Sequence, residues 1–156
     1  MFTILLGSFI SANAGPTKGF RVGLCAGVAS NCQGAQARLS YNNDRFGVTL
    51  GAGLIAQLSA TGQIYLSSNE KKIRQFVSLS YAAVAFPLIA VQFDGSVDLL
   101  GGGGYGLSYG ADFHFLENQK LILTPRVGVD YSTWIDGGSN PSVVHPSLST
   151  ELTWAF

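Results

Sequence analysis

The chain has 156 residues, with nine basic and nine acidic side chains for a net charge of zero, and only 12% charged residues against 20 glycines. That length allows one domain, and the sparse, balanced charge excludes an electrostatic footprint for nucleic acid. No apolar run reaches the length of a membrane helix, so a chain this greasy that crosses a bilayer must do so as a closed barrel, since open sheet edges find no hydrogen-bond partners in hydrocarbon.

Residues 2–10 are apolar and precede Ala12-Asn13-Ala14, the pattern of a secretory signal with a small-x-small cleavage site. Residues 1–14 are therefore expected to be a signal peptide and residues 15–156 a single barrel domain. The signal lacks the usual basic start, and an extra N-terminal strand is the competing reading. From Phe20 onward a two-residue rhythm takes over, the mark of strands with two unlike faces. Strand one, about 20–29, sets Phe20, Val22, Leu24, Ala26 and Val28 against Arg21, Gly23, Cys25 and Gly27. Cys25 and Cys32 are seven apart, so they can bridge across the first loop or stand as two ordinary thiols. The thiols are preferred, because straight strands hold such positions apart and the spacing suits no metal.

Strand two, about 35–41, alternates Ala35, Ala37, Leu39 and Tyr41 with Gln36, Arg38 and Ser40, and a tight Asn42-Asn43-Asp44 turn follows. From Phe46 the even beat stays apolar through Leu66. The unbroken phase predicts one long strand, with a turn at 60–62 as the alternative. A polar loop at 68–72 precedes strand four, about 72–86. Pro87 is read as a turn, because proline cannot donate to a ladder. Strand five is expected at about 88–99 and a flexible loop at Gly101–Gly104. Strand six follows at 105–115, strand seven at about 121–132, and strand eight at about 143–156 after the longest loop. The count is eight, or ten if residues 2–10 form a strand and strand three divides. Short turns at 42–44, 87 and 117–120 would share the periplasmic end with both termini.

Which beat faces outward follows from where the charges fall. Arg21, Arg38, Asp94, Asp98, Asp112, His114, Arg126, Asp130, His145 and Glu151 all share the beat opposite the large apolar side chains. On a lipid face each arginine would cost about 2–4 kcal/mol at the midplane, whereas in a polar lumen the charges can pair. Aromatic residues gather near strand ends (Phe20, Tyr41, Phe46, Tyr105, Phe115, Tyr131, Trp154, Phe156), as interfacial girdles require. A soluble lipocalin-like barrel with the same strands would need the opposite orientation and a solvent face of glycine, serine and alanine. The fold class predicted is thus all-β, an antiparallel up-and-down transmembrane β-barrel.

The final stretch, Ser149-Thr150-Glu151-Leu152-Thr153-Trp154-Ala155-Phe156, resembles the C-terminal assembly signal of bacterial outer-membrane proteins, with Leu152, Trp154 and Phe156 as its apolar row. Glu151 stands where that signal usually has glycine. Residues 20–156 resemble the small eight-stranded barrels of the outer-membrane protein X and outer-membrane protein A membrane-domain type. The resemblance implies residence in the bacterial outer membrane, contact with outer-membrane lipid and insertion by the barrel-assembly machinery.

An eight-stranded barrel filled by charged side chains has no open channel. The expected role is non-enzymatic: envelope integrity, surface contact, or a subunit docked to another envelope protein, for which a projecting strand three would offer an edge. A small ion or solute pore along Asp94, Asp98, Arg126 and Asp130 is the alternative. A third reading rests on His145, Ser147 and Glu151, whose order is similar to the His-x-Ser and distant Glu of outer-membrane lipid A deacylases. On one strand these stand roughly 6.6 Å and 13 Å apart, too far for the second contact. No cofactor or metal is expected, since neither a phosphate cradle nor a ligand cluster is present.

Overall fold

A computed structural model describes residues 18–53, 57–67, 72–84, 88–91, 97–115, 120–135 and 142–156. Among them every regular element is a strand: β1 (Gly19–Ala29), β2 (Cys32–Asn42), β3 (Phe46–Gly53), β4 (Gln57–Tyr65), β5 (Ile73–Val84), β6 (Leu88–Val91), β7 (Val97–Phe115), β8 (Leu121–Ile135) and β9 (Ser142–Ala155). All pairings are antiparallel, and each arm of the barrel lies beside its neighbour in sequence. The ring closes twice over, through β1 on β9 and β5 on β7. β5 and β6 both pair with β7 and form one arm, so the barrel has eight.

The predicted count is correct, but two boundaries compensate for each other. The long third strand is in fact two, β3 and β4, folded back so that Phe46 faces Ile64 and Ala52 faces Leu58. Directly opposed residues share a face of the sheet. Where opposed positions sum to an even number, the apolar beat keeps its phase through the turn, so unbroken parity cannot reveal that hairpin. Conversely, the chain does not turn back at Pro87. β5 reaches β7 with Ala83 opposite Gly103, and β6 resumes with Leu88 opposite Leu100, a shift of two in register. Pro87 falls between the two pairings, outside the described residues. Gly101–Gly104 are strand rather than loop, paired to β8 from Gly101↔Ile135 to Gly104↔Ser132.

These corrections reassign the ends of the barrel. The end that holds Gly19 and Phe156 also holds the connections at 43–45, 66–72 and 116–120, while those at 30–31, 54–56, 92–96 and 136–141 share the other. The polar loop expected at 68–72 therefore belongs to the terminal end, and strand three offers no projecting edge. Residues 1–17, which include the predicted signal, lie outside the described residues, as does Asp94.

The wall is oriented as the charge distribution predicts. Leu24 is 68% exposed, Leu107 60% and Val129 54%, whereas Arg21, Asp112 and Arg126 are exposed by no more than 4%. No outward-facing position of the described strands carries a charge. Inward glycines make room for the large polar groups opposite them, in the small-against-large alternation of narrow barrels. A Cβ at Gly110 would lie 2.5 Å from the Phe76 ring. Aromatic side chains form two outer bands. Near the termini Phe20 packs on Tyr41 at 5.2 Å, with Phe46, Phe115, Trp154 and Phe156 on the same level. Toward the other end Tyr81, Tyr105 and Tyr131 stand side by side on three arms, the first two 5.0 Å apart.

The β1–β2 turn departs from a simple wall. Ser30 and Asn31 are buried and Cys32 has no exposed surface. Cys25 and Cys32 form a disulfide, with Cα atoms 6.1 Å apart, so the preference for two free thiols is overturned. In a straight hairpin Cys25 would sit four positions from the residue facing Cys32, since Cys32 faces Ala29 and Cys25 faces Gln36. Here the tip bends inward past the Gly27↔Gly34 pair, where Gly34 has a φ of 69°, a conformation that only glycine adopts freely.

Candidate functional site

The barrel interior is the candidate site, and it is built in three tiers. The tier nearest the termini centres on Asp112. Its carboxylate accepts from Arg21 Nη1 at 2.8 Å, from the Tyr65 hydroxyl at 2.9 Å and from the Thr124 hydroxyl at 2.8 Å. Asn42 Oδ1 takes further bonds from Gln63 at 2.9 Å and Tyr65 at 2.8 Å. Arg74 stacks its guanidinium 3.5 Å above the Tyr65 ring and donates to the carbonyls of Asn43 and Asp44, fixing the β2–β3 turn against the lumen. A low-dielectric interior makes such a network strong when satisfied and costly when broken.

The middle tier centres on Glu151, which Arg126 reaches at 2.9 Å and Arg38 at 3.6 Å. Two guanidiniums on one carboxylate leave an excess positive charge, and aromatic and neutral polar groups moderate it. Arg126 lies 5.0 Å from the Phe76 ring centre, while Arg38 also donates to Gln36 and Ser59. Gln36 and Gln57 bond side chain to side chain at 2.7 Å.

In the upper tier the inturned tip crosses the lumen. The Ser30 backbone N–H donates to the Asp130 carboxylate, and Arg38 donates to the Asn31 carbonyl. The Asn31 side-chain amide meets Ser149 of β9 at 3.2 Å, and Ser59 of β4 donates to its carbonyl at 3.3 Å. One turn thus touches opposite walls of the ring and caps the charged tiers. Beside it is a cavity of about 270 Å³, bounded by Ser30, Ala82, Gly103, Asp130, Ser132 and His145 among others. His145 Nε2 and the Ser132 hydroxyl are 3.2 Å apart, and His145 Nδ1 is 3.1 Å from the Pro146 carbonyl.

Of the ten candidates, Arg21, Arg38, Asp112, Arg126, Asp130 and Glu151 are buried in the lumen, spread over all three tiers. His114 and His145 are half-buried, the first with its backbone N–H on the Lys72 carbonyl and the second at the cavity. Asp98 pairs with Ala90 in the ladder, its side chain beyond the described set, so the path through Asp94, Asp98, Arg126 and Asp130 is not assembled by the described residues. Nor are His145, Ser147 and Glu151 joined. Glu151 is taken by two arginines, Ser147 has no partner for its hydroxyl, and the imidazole meets Ser132 instead. Leu152, Trp154 and Phe156 point outward on the strand that closes the ring.

Three of the lumen groups outside the ten candidates stand out, and only Arg74 among them carries both a charge and the inward beat. Tyr65, Arg74 and Asn31 have central roles here, and the first two stand on the inward beat of their strands, which is the signal that marks them. Asn31 has no such signal, because a turn is expected to face solvent. In comparison with known proteins, the chain matches no family model and no curated protein.

Proposed function

We propose that the chain is an integral barrel of the bacterial outer membrane, non-enzymatic and closed to bulk flow, serving envelope integrity or contact with another envelope protein. The observation that carries this reading is the inverted wall: the described strands set an uncharged, apolar exterior around a charged interior. In water that exterior would be an adhesive surface far larger than soluble monomers tolerate. The two aromatic bands supply an independent measure. Tyr105 and Phe115 lie on one strand, ten residues apart. At the usual rise and a tilt of roughly 40° they are separated by about 25 Å along the barrel axis, the height of the apolar band in outer-membrane barrels. The Leu152-Trp154-Phe156 row supports assembly by the barrel-insertion machinery, and lipid is the exterior's natural partner.

The capped, salt-bridged lumen argues against a steady pore. The test is fractionation of cells that make the full chain, followed by heat-modifiable gel migration and planar-bilayer recording. Expected are alkaline-resistant membrane association, faster migration before boiling and no steady conductance. Leu107→Arg should lower the stability of the inserted form by about 2–4 kcal/mol. A protein that stays monodisperse without detergent overturns the reading, and steady conductance replaces it with the pore.

A further inference from the structure

The three tiers differ in how their carboxylates are neutralised. Asp112 and Glu151 each have arginine partners, but Asp130, only 2% exposed, has no basic side chain within 4 Å among the described residues. Its bond is to the Ser30 backbone N–H, a dipole rather than a charge. A buried carboxylate ordinarily has a counter-charge. This one borders the cavity of about 270 Å³ at the open end of the barrel.

We propose that this cavity binds a small primary alkylammonium ion, with Asp130 as its counter-ion. The chemistry of the lining selects the class. The Pro146 carbonyl can only accept, so the His145 Nδ1 beside it donates, and in the neutral imidazole Nε2 then accepts from Ser132. The Ser132 oxygen keeps its lone pairs, giving a second acceptor for an ammonium N–H. Ala29, Ala82 and Val143 supply hydrocarbon against which an alkyl chain can pack. A metal ion is the poorer fit, since no group of three His, Cys, Asp or Glu ligands occurs among the described residues. The site depends on the mouth of the barrel alone, whichever solvent surrounds the wall.

The test titrates n-butylammonium into the full chain in detergent, with butan-1-ol as the uncharged probe and magnesium as the inorganic cation, reading backbone amide shifts at Ser30, Gly103 and Ser132. Saturable shifts with a dissociation constant on the order of 1 mM are expected for butylammonium, as befits so small a ligand. Butanol and magnesium should be at least about tenfold weaker. Asp130→Asn keeps the acceptor for Ser30 and should weaken butylammonium about tenfold or more. Ala82→Leu, which places an isobutyl group in the cavity and leaves the carboxylate intact, should abolish binding. Heat-modifiable migration checks that each variant closes, and Ala82→Leu decides if Asp130→Asn does not. Equal binding of butanol or of magnesium, unchanged affinity in either closed variant, or no saturable shift in the parent chain would overturn the assignment.

Discussion

The two ends of the lumen are built on different principles. At the terminal end side chains from five arms (β1, β2, β4, β7 and β8) converge on Asp112 and Asn42, and the carboxylate is paired with an arginine. At the other end a backbone turn does the filling, the carboxylate there has only a dipole for company, and space remains. The first arrangement leaves nothing to a ligand and much to stability. The second gives up some stability and keeps room for a guest. A barrel of this width can thus separate the two tasks along its axis.

The sharpest way to break the contrast is Asp112→Ala, which strands Arg21 in the interior, removes the acceptor of Thr124 and leaves the Tyr65 hydroxyl only Asn42. Uncompensated buried charge costs about 3–5 kcal/mol, so urea unfolding in vesicles should show the largest loss here. Glu151→Gln should follow at about 3 kcal/mol, since Arg126 keeps one acceptor oxygen but Arg38 and Arg126 lose their shared counter-charge. Cys25→Ser releases the tip. The disulfide closes a short loop, so about 2 kcal/mol is expected, together with faster amide exchange at Ser30 and Asn31 and none at Tyr65. Asp130→Asn should have the smallest effect, about 1 kcal/mol or less, because the Ser30 N–H retains an oxygen to bond. If Asp130→Asn destabilises as much as Asp112→Ala, the two ends are not different in kind.

Much of this was legible in the sequence, and the failures have geometric causes. Alternation placed Arg21, Arg38, Asp112, Arg126 and Glu151 on one beat, and the interior they form is the one observed. Alternation is blind, however, to a hairpin whose turn preserves phase, as between β3 and β4. It also treats proline and glycine as punctuation, although Gly101–Gly104 all pair with β8, and Gly103 and Gly104 with β5 as well, in a ladder where small residues let strands and lumen side chains approach. The choice between a disulfide and two thiols, and the role of Asn31, stayed undecided for a further reason. Both depend on a turn that leaves the wall, and no periodic signal along a strand encodes where its end bends.

The inturned tip also has a temporal meaning. Ser30 binds a residue 100 positions later and Asn31 one 118 positions later, on the last two arms to emerge during synthesis. Those two bonds of the cap therefore cannot form until β8 and β9 have arrived. Sealing the lumen thus draws on the same arms that complete the ring, and contacts this far apart in sequence are the slow ones to form.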